Sequence, residues 1–228
     1  MLLLDPPLDF GKEHVGENTG LADLLQSWGV TLDKDLVLEE NPMGQLFGFG
    51  PEIPLVNNYE SQPIVSDLKS SFTGFPVTRS ITVKNTDKTT VDKLFSTTDR
   101  AIATTNLHTN EVNPSDPNNK KGPFVLGAAG KYNTSKPNNS GRFVVIGNSG
   151  FLTNGMLGFQ ANRDLALNAV NWLSSDEDLI SIRPKEAEDR RLNATQHQMN
   201  VFFSTDLIAI PLLIIVAGVF IFLKRRAA

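Results

Sequence analysis

Ser149, in a glycine-flanked turn, is the side chain whose position in this sequence is best suited to catalysis. The segment Gly147-Asn148-Ser149-Gly150-Phe151 follows the apolar run Phe143-Val144-Val145-Ile146, so Ser149 stands directly after a predicted strand. Hydrolases place the nucleophile of a Gly-x-Ser-x-Gly elbow at such a point. Here the fifth position is Phe, and the sequence favours a tight turn held by the Asn148 and Ser149 side chains over a catalytic serine.

A serine nucleophile also needs a base, and the sequence holds three histidines, His14, His108 and His197. His108 lies in a polar loop and His197 near a C-terminal apolar segment, and the spacing of the three matches no metal-ligand motif. The sequence contains no cysteine, which excludes disulfides and thiolate sites, and no GxxxxGK[ST] loop for ATP. We therefore predict a protein that is not an enzyme and has no cofactor and no metal.

Binding is the other chemistry that this region could perform. Open α/β sheets bind ligands beyond the carboxyl ends of their strands. Asp5 follows the short apolar run Leu2-Leu3-Leu4, and Asn148, Ser149 and Asn154 follow the later run. The sequence therefore predicts a ligand crevice lined by Asp5, Asn148, Ser149 and Asn154.

The elements that must position these residues follow a strand, helix, strand order. Apolar residues at helical spacing from Leu21 to Trp28 end at Gly29, and Leu36-Val37-Leu38 is a second strand. The run from Phe143 to Ile146 is typical of a strand buried on both faces of a parallel sheet, and a helix begins at Asn162 or Asp164. We expect an α/β fold with an open, mostly parallel sheet and flanking helices.

A membrane anchor is predicted at the C-terminal end. Seventeen uncharged residues start at Leu207, include Pro211 and Gly218 and end at Leu223, directly before Lys224, Arg225 and Arg226. As one helix they would span about 25 Å. The basic end favours a cytoplasmic C-terminus, which places the main domain outside the cytoplasm. We expect a single-pass protein of the inner (plasma) membrane, in contact with the lipid bilayer.

This anchor divides the chain into four parts: an extracytoplasmic α/β domain (1–182), a juxtamembrane linker (183–206), the transmembrane helix (207–223) and a basic tail (224–228). The formal net charge of the whole chain is −4 although the tail is basic, so the main domain is acidic. An acidic domain is repelled by phosphate backbones, which excludes non-specific nucleic-acid binding.

The second half of the domain carries a family resemblance. Its motif runs GRFVVIGNSGF from Gly141 to Phe151, continues with Asn154, and ends with NRDLALNAVNWL from Asn162 to Leu173. Upstream, residues 20–37 resemble a helix, short turn and Val-rich strand element, and residues 56–64 (VNNYESQPI) a Tyr-x-x-His-Pro-Ile signature. SIRPK at residues 181–185, before the basic-ended helix, completes the pattern. The chain resembles the gliding-motility GldG family of auxiliary components of ABC-type transport systems.

The resemblance implies a flavodoxin-like or class I glutamine-amidotransferase-like fold on the extracytoplasmic side, and partnership with an ABC permease and its ATPase. Gln62 stands where the family more often has His, which removes any role of that imidazole. Relatives usually begin with a membrane segment, so the chain resembles their C-terminal half and we expect a missing upstream segment. The expected function is a non-catalytic, membrane-anchored auxiliary subunit of an ABC-type transporter. An envelope hydrolase or amidotransferase-like enzyme, and a tethered ligand-binding module, stay open as alternatives.

Overall fold

The computed structural model describes residues 1–10, 13–108, 112–114, 116–133, 141–174 and 210–227. The chain divides into two compact units, Met1–Ile182 and Arg183–Ala228. The strands are β1 (Leu2–Leu3), β2 (Asp9–Phe10), β3 (Glu13–His14), β4 (Val30–Leu32), β5 (Leu36–Leu38), β6 (Leu55–Val56), β7 (Asn58–Tyr59), β8 (Thr73–Gly74), β9 (Ile81–Val83), β10 (Thr89–Ser96), β11 (Ile102–Thr104), β12 (Lys120–Lys121), β13 (Val125–Tyr132) and β14 (Arg142–Ile146). The helices are α1 (Thr19–Ser27), α2 (Pro42–Leu46), α3 (Asn162–Leu173) and α4 (Ile210–Ala227), with a short 3-10 helix at Gly150–Leu152.

The largest sheet in the described part of the chain has five strands in the order β1-β14-β13-β10-β7. Only β1 and β14 run parallel, with Leu2 opposite Val145, and the other neighbours are antiparallel. A three-stranded sheet (β12-β11-β5) and three two-stranded sheets are antiparallel as well. The predicted open, mostly parallel sheet of flavodoxin-like or class I glutamine-amidotransferase-like type is therefore wrong.

Connection length explains the antiparallel arrangement at the centre of this sheet. A parallel pair needs a crossover of a dozen or more residues, usually helical, and β13 is joined to β14 by a shorter segment. The apolar run from Phe143 to Ile146 is buried on both faces, as predicted. Such a run does not distinguish a parallel strand from a central antiparallel strand that is covered on both sides.

Successive residues of β14 enter two different cores, because side chains alternate across a strand. Val144 and Ile146 pack in the main cluster, which includes Trp172 of α3. Phe143 and Val145 pack in a second cluster with Leu25 of α1. The five-stranded sheet is thus a middle layer between two apolar cores.

Both helices next to the sheet agree with the sequence prediction in position. Asn18 caps α1 by accepting a hydrogen bond from the Leu21 amide (3.0 Å). Gly29 ends the helix at φ +84, a conformation that glycine adopts without strain. In α3, Leu165, Ala169 and Trp172 are buried, with Trp172 only 1% exposed.

Two glycines of β13 make room for aromatic rings from the neighbouring strands. Gly127 lies opposite Phe95 of β10, and Gly130 lies opposite Phe143 of β14. A Cβ at either glycine would collide with the ring of its partner. The two rings therefore cover glycine backbone, and this packing needs a residue without a side chain on β13.

The predicted transmembrane helix is also wrong for the described residues. In their part of the chain, no helix combines the length and the apolarity needed to cross a membrane. The helix α4 spans Ile210–Ala227 and contains Lys224, Arg225 and Arg226 in its last turn. Pro211, Gly218 and Leu223 belong to α4, whereas Leu207 and the linker 183–206 lie outside the described residues.

Candidate functional site

The structure brings Asp5 and Ser149 into direct contact at the carboxyl ends of β1 and β14. The Ser149 amide donates to Asp5 Oδ1 and the Ser149 hydroxyl donates to Asp5 Oδ2, both at 2.6 Å. This contact follows from the one parallel pair of the sheet, since parallel neighbours place their carboxyl ends at the same edge. Both side chains are half-buried, and each oxygen of the carboxylate accepts a hydrogen bond from Ser149.

Asn148 and Asn154, the other two predicted crevice residues, have different surroundings. Asn148 is 1% exposed, its amide nitrogen donates to the Pro76 and Val77 carbonyls, and its Oδ1 accepts from the Phe151 amide (2.8 Å). These bonds fix the turn that follows β14, as the sequence predicts for Asn148. Asn154 is exposed to solvent. Ligand binding by the four residues stays a prediction.

Arg79 completes this region, and the sequence analysis missed it. Its side chain is 2% exposed and donates to the Asp33 carbonyl (2.7 Å), to the Asp5 carbonyl (3.4 Å) and to Glu17 Oε1 (3.0 Å). A buried guanidinium needs a partner of opposite charge, and Glu17 supplies it. Hydrophobic periodicity does not predict the burial of an arginine, because charged residues are rarely fully buried.

Glu17 is held ionised by two cations. Partial burial by itself raises the pKa of Glu17, but hydrogen bonds and charge from Lys34 (2.9 Å) and Arg79 outweigh that effect. The pKa of Glu17 therefore lies below its ordinary value of 4.5. This ion-pair group ties the residues before α1 to the segment that precedes β9.

The Asp5–Ser149 pair has the acid and the alcohol of a catalytic triad but no imidazole between them. His108 Nδ1 lies 3.5 Å from Asp9 Oδ2 and its side chain is largely exposed. The side chain of His14 and the whole of His197 fall outside the described residues. In the part of the chain that the structure describes, the pair can orient and accept hydrogen bonds, and Ser149 has no base beside it.

Two buried asparagines of α3 connect this helix to distant loops. Asn162 accepts from the Gly74 amide (2.9 Å) and donates to the Met156 carbonyl (2.9 Å). Asn168 donates to the Ile64 carbonyl (3.0 Å) and to Asp67 (3.1 Å). Asn162 and Asn168, which belong to the motif that carries the family resemblance, are thus internal supports of the fold.

Two cavities in the described part of the chain have volumes that suit a ligand. One of about 400 Å³ is lined by residues of α2, β5 and β11, including Leu38, Gln45 and Ile102. The other, of about 500 Å³, is polar and is lined by Gln62 among others. Gln62 is 6% exposed and its Oε1 accepts from the Ile64 amide (3.0 Å), so it stabilises a local turn. Both volumes fall in the range of ligand sites.

Burial changes the titration of the carboxyl group of Glu39. Glu39 is 2% exposed and its Oε1 accepts from the Thr98 hydroxyl (2.5 Å) and amide (3.2 Å). Its Oε2 is buried and has no hydrogen-bond partner among the described residues. Burial raises the pKa of Glu39 above 4.5, against the opposing effect of the Thr98 hydrogen bonds.

The sequence of this mixed α/β domain identifies the family to which the chain belongs. The model of the family described as "ABC-type uncharacterized transport system" matches residues 1–175, and the chain belongs to that family. The resemblance to auxiliary components of ABC-type transport systems is confirmed at this level, and it links the chain to transporter components. No curated protein matches the sequence.

Proposed function

We propose that this chain is a non-catalytic auxiliary subunit of an ABC-type transporter of the gliding-motility type. Its domain acts at the extracytoplasmic face of the inner membrane and contacts the permease. The family match over residues 1–175 carries this proposal, because it covers nearly all of the larger unit, Met1–Ile182. The gliding-motility type is supported by the GRFVVIGNSGF and NRDLALNAVNWL motifs.

The site geometry supports the non-catalytic part of this proposal. The Asp5 carboxylate is occupied by Ser149, and the Asn148 amide is occupied by backbone groups. The sequence contains no GxxxxGK[ST] loop, so ATP hydrolysis falls to a separate ATPase subunit. In this proposal the chain contributes binding contacts to the transporter, and the ATPase drives transport.

The helix α4 offers an apolar surface for such contacts. Leu212, Ile215, Val219 and Phe222 are each more than half exposed. An exposed apolar surface of this kind marks an interaction site. In the proposed complex these residues pack on the apolar surface of the permease, and the basic last turn faces the acidic headgroups of the bilayer.

Copurification tests the proposal. The tagged full chain is expressed together with the permease and the ATPase of the same transport system and is isolated in mild detergent. We expect both partners to copurify. They should be lost when residues 210–227 are replaced by an unrelated helix of equal length, while a variant altered only at the exposed Asn154 retains them. Isolation of the chain always alone would overturn the proposal.

The two cavities favour ligand binding as a second candidate function. In that case the domain senses a small molecule and needs no permease. Thermal unfolding of the purified chain with added glycans or lipids distinguishes the two. A saturable rise in Tm without copurifying partners would favour the ligand-binding function.

A further inference from the structure

The cavity of about 400 Å³ has mainly apolar walls. Leu38 of β5 and Ile102 of β11 contribute to it, together with Pro42, Pro51 and Pro114. An apolar concave surface of this size accommodates a bulky apolar side chain, which gains free energy in proportion to the area that it removes from water.

The apolar surface continues outside the cavity on α2. Pro42 and Gln45 line the cavity, and Leu46, four residues after Pro42, shares that side of the helix. Leu46 is 76% exposed, and Met43 and Phe47 are exposed as well. A small molecule inside the cavity would leave Leu46 in water, whereas a peptide segment covers both. The continuity of the surface therefore favours a protein partner.

Arg100 gives the surface its charge preference. Its side chain lines the cavity, is exposed, and forms no hydrogen bond or ion pair with any residue that the structure describes. Burial raises the pKa of Glu39 and the charge of Arg100 acts against that rise, but the two side chains form no ion pair in the described part of the chain. An unpaired guanidinium at an apolar surface matches a carboxylate on the partner. Glu40 at the same cavity disfavours a segment made only of acidic residues.

We propose that the surface formed by α2, the adjoining cavity and Arg100 is the docking site for one segment of the permease. That segment carries a bulky apolar side chain, which enters the cavity, and a neighbouring carboxylate, which pairs with Arg100. This inference rests on the proposed function and names the surface that performs it. The apolar side chain supplies affinity and the carboxylate supplies orientation.

Photo-crosslinking in the complete complex tests contact directly. The full chain is expressed with the permease and the ATPase, with p-benzoylphenylalanine in place of Gln45 in one sample and of Ser61 in the other. Ser61 is an exposed residue of the polar cavity and is the matched control. We expect a crosslink to the permease from position 45 and none from position 61. A crosslink from position 61 alone would overturn the proposal.

Surface substitutions test the energetics. Leu46→Asp and Arg100→Glu should each lower the amount of copurified permease at least tenfold. The matched variants Val170→Asp, at a half-exposed apolar position of α3, and Lys69→Glu, at an exposed lysine, should retain it. All four positions are exposed, so the variants fold, and unchanged circular dichroism spectra verify this.

The outcomes separate the two proposals. Full copurification of Leu46→Asp overturns the docking site and leaves the auxiliary function intact. Failure of the unaltered chain to copurify overturns the auxiliary function itself. Sodium hexanoate serves as the probe for a small-molecule site. A rise in Tm with hexanoate that Arg100→Glu abolishes, together with unaffected permease binding, would also overturn the docking site.

Discussion

Asp5 and Ser149 lie 144 positions apart in the sequence and are joined by two hydrogen bonds of 2.6 Å. The bonds connect the residue after β1 to the turn after β14, so one carboxylate holds together the ends of two neighbouring strands. Hydrogen bonds to a charged acceptor are among the stronger ones in proteins.

Loss of this carboxylate should destabilise the domain. We expect Asp5→Ala to lower the free energy of unfolding by about 2 kcal/mol, because two donors of Ser149 lose a charged acceptor. Ser149→Ala removes only the hydroxyl donor and should cost about 1 kcal/mol. Urea denaturation of both variants and of the double variant measures the coupling. Simple additivity of the two losses would contradict the direct contact. The hydrolase alternative predicts instead that Ser149→Ala abolishes an activity at unchanged stability.

Removal of the charge of Glu17 should leave Arg79 buried without its carboxylate. We expect Glu17→Gln to lower the free energy of unfolding at pH 7 by about 3 kcal/mol. The pKa of Glu17 is depressed in the folded state, so its contribution is present above pH 4.5 and is lost as the pH falls through the folded pKa. The difference between the variant and the unaltered chain should therefore shrink below pH 4.5.

Lys34 provides the control for this ion-pair group. Its side chain is 70% exposed, so Lys34→Gln should cost less than about 1 kcal/mol. Chemical denaturation from pH 3 to pH 7 measures both variants. An equal loss for the two variants would contradict the larger contribution expected of the buried pair.

Glu39 should give the opposite dependence on pH. Its pKa is raised in the folded state, so the folded chain holds the proton more tightly and loses stability as the pH rises above 4.5 toward the folded pKa. In that window we expect the free energy of unfolding of Glu39→Gln to increase relative to the unaltered chain, by up to about 1.4 kcal/mol per pH unit. Denaturation curves at several pH values measure the slope. Parallel curves for both proteins would contradict the burial of this carboxyl group.

A methyl group at Gly130 should disturb the packing of Phe143. We expect Gly130→Ala to lower the free energy of unfolding by about 2 kcal/mol, because the added Cβ collides with the ring. Gly158→Ala is the control, since a Cβ there meets no atom within 4 Å. Replacement of Phe143 by Leu in the Gly130→Ala background should reduce the cost of the glycine substitution. The same cost in both backgrounds would exclude the ring as its cause.

Apolar composition and spacing predicted two of the elements that form the core. The strand at residues 143–146 and the helix Asn162–Leu173 appear where apolar composition and spacing placed them. The contact between Asp5 and Ser149 agrees with the expected meeting of strand ends, because β1 and β14 form the parallel pair of the sheet. The prediction that the other strands of this sheet also run parallel to their neighbours was wrong.

Other features depend on contacts that local sequence does not encode. The burial of Arg79 requires Glu17, which lies 62 positions away, and the roles of Asn162 and Asn168 require loops about 90 to 100 positions away. In each case, a partner that is distant in the sequence decides the burial or the role of the residue.

The pairing of β1 with β14 affects the order in which the domain can fold. Leu2 pairs with Val145, so β1 lacks its neighbour in this sheet until residue 145 has left the ribosome. Pairings over such long sequence separations form slowly, since chain closure must precede any gain from contact. The five-stranded sheet is therefore complete only after translation of β14, and before then the leading residues of the chain are a natural substrate for chaperones.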